Sequence, residues 1–126
     1  MILGIGVDIV QLSRIRDLLE RHGPRSLARV LTEGERAYCA RHVDPVPSVA
    51  SRFAAKEAVL KALGTGLAQG IKWHDVEVVR GEYGPPRIEL HGEAARFAGE
   101  LGVARAHLSL THDSGAAVAM AVLESA

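Results

Sequence analysis

A single cysteine, Cys39, rules out a disulfide within the chain. With no basic leader ahead of the apolar start MILGIGVDIV, it points to a cytoplasmic protein. Aromatic residues are scarce, at 4%, so the core has to be aliphatic and rich in alanine. No run approaches the ~20 apolar residues of a membrane span. Net charge is also absent. The 15 basic residues balance 15 acidic ones, which argues against a general nucleic-acid binder, since that would carry a basic excess. The balance hides a gradient. Residues 1–61 hold ten Lys/Arg against seven Asp/Glu, and residues 62–126 hold five against eight. A basic first half suits an acidic partner or a phosphate ligand, and solvated helix faces account for the same numbers.

What is present reads as one domain spanning residues 1–126, large enough to fold without a disulfide or metal staple. MILGIGVDI alternates with a period of two, the mark of a strand. Leu3, Ile5, Val7 and Ile9 are expected on its core side, with Gly4, Gly6 and Asp8 on the other. Two glycines beside an acid leave room for a ligand or another backbone. SRIRDLLERHGP is a helix opened by Ser13 and ended by Gly23 and Pro24. A short helical piece follows around residues 25–31. TEGERAYCARH opens with a capping box, Thr32 and Glu35. After two prolines, Ser48 is placed to cap a helix running to Gly64.

The rest reads as a hairpin around residues 74–90 turning at 81–84, a short helix over 92–101, and a second hairpin turning at Asp113–Ser114–Gly115. The spacing predicts an α+β domain with a mainly antiparallel sheet and one long buried helix.

That helix, RFAAKEAVLKALG (Arg52–Gly64), poses the chemical question. At about 100° per residue, Val59, Leu60, Leu63 and Phe53 fill one side and the alanines 54, 55, 58 and 62 another. A helix apolar on most sides is buried, yet this one carries Arg52, Lys56, Glu57 and Lys61. Glu57 and Lys61 sit together in the gap between the two apolar faces. They read either as a surface i, i+4 pair or as part of a site, because a buried charge needs a partner or a metal. Arg52 and Lys56 lie among the bulky residues, their stems covered and their heads expected to snorkel outward. Asp8 supplies a second carboxylate at a strand end. Two carboxylates plus a lysine suit a hard divalent cation with a phosphate ligand.

GIGVDIVQLSRI, LTEGERAY, RFAAKEAVLKALGTG and HLSLTHD, in this order, resemble the holo-acyl-carrier-protein synthases, the short single-domain phosphopantetheinyl transferases. The resemblance covers nearly the whole chain. It implies transfer of 4′-phosphopantetheine from coenzyme A to a serine of apo-acyl carrier protein, in support of fatty acid biosynthesis. It implies Mg²⁺, with Mn²⁺ as a substitute, and a homotrimer with active sites in the clefts between subunits. It also implies roles for individual residues. Asp8 and Glu57 would hold the metal, with Lys61 beside them stabilising developing charge, and Glu57 or a metal-bound water would be the base. Arg52 and His112 would meet the adenosine 3′-phosphate. Gly64 and Thr65 would let the chain pass close to the nucleotide, and Lys56 would touch phosphate or only snorkel. Arg14, Leu18, Arg21 and Arg25 would form a basic face docking the acidic carrier protein. A trimer would further account for the helix that is apolar nearly all round.

Three rivals share these residues: a module that binds coenzyme A without chemistry, a trimeric interaction protein, and a metal-dependent hydrolase with water as acceptor. Two carboxylates argue against simple phosphate binding, which favours cations.

Overall fold

The computed structural model describes residues 1–81 and 83–126. Glu82, inside the expected turn at 81–84, lies outside the described residues. Strand β1 (Ile2–Gln11) runs into helix α1 (Leu12–His22). A short 3-10 helix (Pro24–Arg29) leads to α2 (Glu33–Ala40) and the long α3 (Val46–Leu63). A second 3-10 turn (Trp73–Asp75) precedes β2 (Val76–Val79), β3 (Arg87–Leu90), α4 (Gly92–Leu101), β4 (Val103–Asp113) and β5 (Ala116–Ser125). The strands form a three-stranded sheet ordered β1-β5-β4 and a separate β2-β3 pair. All three pairings are antiparallel, as the hairpin signals predict.

Local signals explain most of these elements. Thr32 and Glu35 form the reciprocal capping box of α2, which satisfies two otherwise unpaired N–H groups. Ser114 (φ 50°) and Gly115 (φ 79°) take left-handed conformations, as a tight hairpin between right-twisted strands requires. The start of α3 differs from expectation. The helix begins at Val46, two residues ahead of Ser48. The Asp44 side chain accepts the Val46 N–H, and the Ser48 hydroxyl is left to serve other side chains.

Helix α3 is the centre of the core. Thirteen of its 18 residues are buried, and it packs against β1 and β5, its alanines 54, 55, 58 and 62 sharing one buried cluster with Ala117, Ala119, Ala121 and Leu123. A single chain therefore buries this helix, and a neighbouring subunit is not what covers it.

The expected orientation of β1 is reversed. Ile5, Val7 and Ile9 are 60%, 56% and 60% exposed, while the glycine row faces α3. A side chain at Gly4 would strike the Ala62 carbonyl, and one at Gly6 the Ala58 carbonyl. The physical reason is close approach of two backbones. Glycine on the strand and alanine on the helix let them come nearer than any branched pair permits. The apolar row of β1 lies on the open face of the sheet, beside Met120 of β5 (47% exposed).

Candidate active site

Because the glycine row faces α3, Asp8, on the same side of β1, comes down onto that helix. The Lys61 ammonium donates to Asp8 Oδ1 at 3.0 Å and to the Val7 carbonyl at 3.1 Å. Glu57, one turn earlier on α3, is half-buried. Its carboxyl is held above the ordinary glutamate range, first by burial and then by the neighbouring Asp8 carboxylate, with Lys61 and Arg14 opposing. Asp8, Glu57 and Lys61, predicted together from distant parts of the sequence, thus form one cluster. A half-buried glutamate whose carboxyl is raised by burial and by a second carboxylate is what a divalent cation relieves.

Arg14 links this cluster to a groove along α1. Its guanidinium lies 5.8 Å from the Phe53 ring centroid. Arg14, Leu18 and Arg21 line the groove together with Ile15, Asp17, His22 and Phe53. Arg25 is exposed on the following 3-10 segment and does not line it.

Arg52 and His112 meet in a different place, a cleft of about 320 Å³ also lined by Tyr38, Ser48, Ser51, Arg80 and Thr111. The Arg52 guanidinium stacks 4.1 Å from the Tyr38 ring centroid, and its Nη1 donates to the Ser48 hydroxyl at 2.9 Å. It does not snorkel freely, being only 4% exposed. Its Nε is buried without a hydrogen-bond partner among the described residues. Gly64 closes α3 in the left-handed conformation, and Thr65 follows it with its hydroxyl donating to the Gly66 carbonyl. Neither residue lines the two clefts described here.

Lys56 corrects the sequence expectation. Its side chain is fully buried and pairs with Glu35 Oε1 at 2.8 Å, and it donates to the Trp73 and Val76 carbonyls. All three donors of its ammonium are occupied inside the protein, so it reaches neither solvent nor a phosphate. Glu35 was legible only as a cap. Its second oxygen accepts the Val78 N–H at 2.9 Å, so one carboxylate joins α2, α3 and β2. Tyr38 and Arg80 carry no sequence signal that would place them beside Arg52. Cys39 is buried, bonded to Ser48, and its thiol is pushed up by burial, which makes it inert.

No helix among the described residues is long and apolar enough to cross a membrane. The chain is 48% identical over 124 residues to a holo-[acyl-carrier-protein] synthase from Koribacter versatilis, covering 98% of this chain and 99% of that protein. Its fold superposes on the crystal structure of the Neisseria meningitidis holo-[acyl-carrier-protein] synthase with a TM-score of 0.90 at 34% identity, covering 99% and 100% of the two chains. It superposes on the Bacillus anthracis synthase, solved in complex with coenzyme A (3′,5′-ADP), with a TM-score of 0.82 at 37% identity over 100% and 99%. A family model described as the 4′-phosphopantetheinyl transferase superfamily matches residues 4–121, and the chain belongs to that superfamily.

Proposed function

We propose that this chain transfers 4′-phosphopantetheine from coenzyme A to a serine hydroxyl of an apo-acyl carrier protein and releases adenosine 3′,5′-bisphosphate. The observation that carries the proposal is the cluster of Asp8, Glu57 and Lys61, in which a raised glutamate stands beside a second carboxylate and a lysine. A simple anion-binding module has no use for two acids there.

The family implies a divalent metal ion, Mg²⁺ with Mn²⁺ as a substitute. The donor set fits it, since hard cations of this size take one or two carboxylates and complete their shell with water and phosphate oxygens. Asp8 and Glu57 would hold it, and when bound it neutralises negative charge on the pyrophosphate. Lys61, already beside Asp8, donates to the same oxygens and stabilises the charge that gathers there. The serine oxygen forms its bond to the pantetheine-side phosphorus as the bond to the bridging oxygen breaks. The electron pair leaves with the adenosine 3′,5′-bisphosphate. Glu57, in its ionised form, takes the serine proton directly or through water.

Arg52 and His112 hold the adenosine 3′-phosphate, and the chain at Gly64 and Thr65 passes close to the nucleotide. Arg14, Leu18, Arg21 and Arg25 present a basic face with an apolar spot to the acidic carrier protein.

The working form is a homotrimer. The uncovered row of Ile5, Val7 and Ile9 with Met120 is an apolar sheet face of the kind that a second copy buries. Arg52 and Glu57 project from different sides of α3, and the cleft that Arg52 and His112 line includes none of Asp8, Glu57 and Lys61. One molecule of coenzyme A therefore engages both sets of residues when they come from adjacent subunits.

The test is to incubate the protein with coenzyme A, Mg²⁺ and apo-acyl carrier protein and weigh the carrier. A gain of roughly 340 Da, one phosphopantetheine, supports transfer. Loss of coenzyme A without that gain points to a hydrolase. Binding with neither change points to a carrier or structural role.

A further inference from the structure

Coenzyme A has two charged ends, a pyrophosphate and a 3′-phosphate monoester. The cluster at Asp8 suits the pyrophosphate, so the second charged cleft must account for the monoester. Arg52 forms the floor of that cleft, but it is partly committed. It is buried, stacked on Tyr38 and bonded to Ser48, and its exposure of 4% leaves little of it for a ligand. A dianion needs more cation than that. Arg80, just past the end of β2, supplies it. The side chain is exposed, and it borders three adjoining cavities, each of them shared with Tyr38. Among the described residues, the one carboxylate lining the main cleft is Asp44, already engaged by Arg16 at 3.1 Å. The cleft therefore keeps a net positive character.

We propose that Arg80 is a specificity-determining residue that closes over the 3′-phosphate opposite Arg52, so that the protein prefers coenzyme A to donors lacking that phosphate. This rests on the transferase reading given above. A guanidinium suits the role because it meets a phosphate with two parallel N–H donors, and an exposed arginine beside a stacked, immobile one can adjust to the ligand as it enters.

The experiment compares coenzyme A with 3′-dephospho-coenzyme A as donors for the wild-type protein, Arg80→Ala and Arg80→Lys. Wild type should favour coenzyme A. Arg80→Ala should reduce the ratio of kcat/KM between the two donors about tenfold, the size expected for losing one charge-assisted contact, and Arg80→Lys should restore part of it. Titration calorimetry with adenosine 3′,5′-bisphosphate and with adenosine 5′-phosphate gives a readout free of turnover. Only the first ligand should weaken on Arg80→Ala. Equal effects on both donors, or no effect on either, overturn the assignment of Arg80. A wild-type protein that modifies no carrier protein at all counts against the transferase reading, and the calorimetry then still decides whether Arg80 reads the 3′-phosphate. An unchanged melting temperature of Arg80→Ala excludes misfolding as the cause.

Discussion

The Lys56 ammonium and the Glu35 carboxylate meet at 2.8 Å with neither side chain exposed to solvent. This pair, not a ligand, is the reason the central helix carries a lysine on its bulky side. It ties α3 to α2 through the Glu35 cap and to β2 through the Val76 carbonyl and the Val78 N–H.

Removing one partner leaves the other as an uncompensated buried charge. Lys56→Met should therefore destabilise the fold by about 3–5 kcal/mol, while the double replacement Glu35→Gln with Lys56→Met should recover a large part of that loss. Denaturant unfolding of the three proteins measures it. A single variant as stable as wild type would show that the ion pair is not a structural tie.

Glu57 sets a pH dependence. Burial and the Asp8 carboxylate hold its carboxyl above the ordinary range, so in the metal-free protein the folded state keeps a proton that the unfolded state has lost. Stability should fall as pH rises through the window between the ordinary glutamate value and the raised folded value. Asp8→Asn removes one of the two causes, so it should lower the Glu57 pKa and reduce that slope. Carboxyl-carbon NMR titration reads both. A Glu57 curve that Asp8→Asn leaves in place would mean the two carboxylates do not interact.

Several parts of this picture were legible in the sequence, and the failures have definite physical causes. The capping box of α2, the span of α4 and the turn at Ser114–Gly115 rest on local rules, and the structure follows them. The cluster of Asp8, Glu57 and Lys61 was legible because charged residues on a buried helix demand partners. The face of β1 was misassigned because alternation with period two reads the same from either side. Only the depth of the contact with Ala58 and Ala62 shows that the glycines, not Ile5 and Val7, belong against α3. Lys56 was misassigned because a helical wheel gives a direction and not a partner. Glu35 lies on another helix and had already been explained as a cap. Arg80 lies at the end of a short strand, where nothing in the pattern announces a ligand.

If the site is shared between subunits, two inactive variants can rescue each other. Arg52→Ala disables one side and Glu57→Gln the other. Mixing them under conditions that exchange subunits should restore part of the transfer activity, because some clefts then combine an intact Arg52 with an intact Glu57. Size-exclusion chromatography with light scattering should report a trimer for wild type and a smaller species for Val7→Asp on the open sheet face. Absence of rescue despite exchange would place both residues in a site within one chain.

The groove along α1 makes a kinetic prediction. Arg14→Glu should raise KM for apo-acyl carrier protein about tenfold or more through charge reversal at the docking face, with a far smaller effect on KM for coenzyme A. Because Arg14 also lies near Glu57, Arg21→Glu serves as the cleaner companion and should show the same split. Equal effects on both substrates would remove the docking role.

The most direct measurement is the intact mass of apo-acyl carrier protein after incubation with coenzyme A and Mg²⁺, run with wild type and with Glu57→Gln. The account predicts a gain of roughly 340 Da with wild type, lost on chelation of the metal and slowed by about a hundredfold or more in the variant. No gain with wild type, or an undiminished rate with Glu57→Gln, would contradict it.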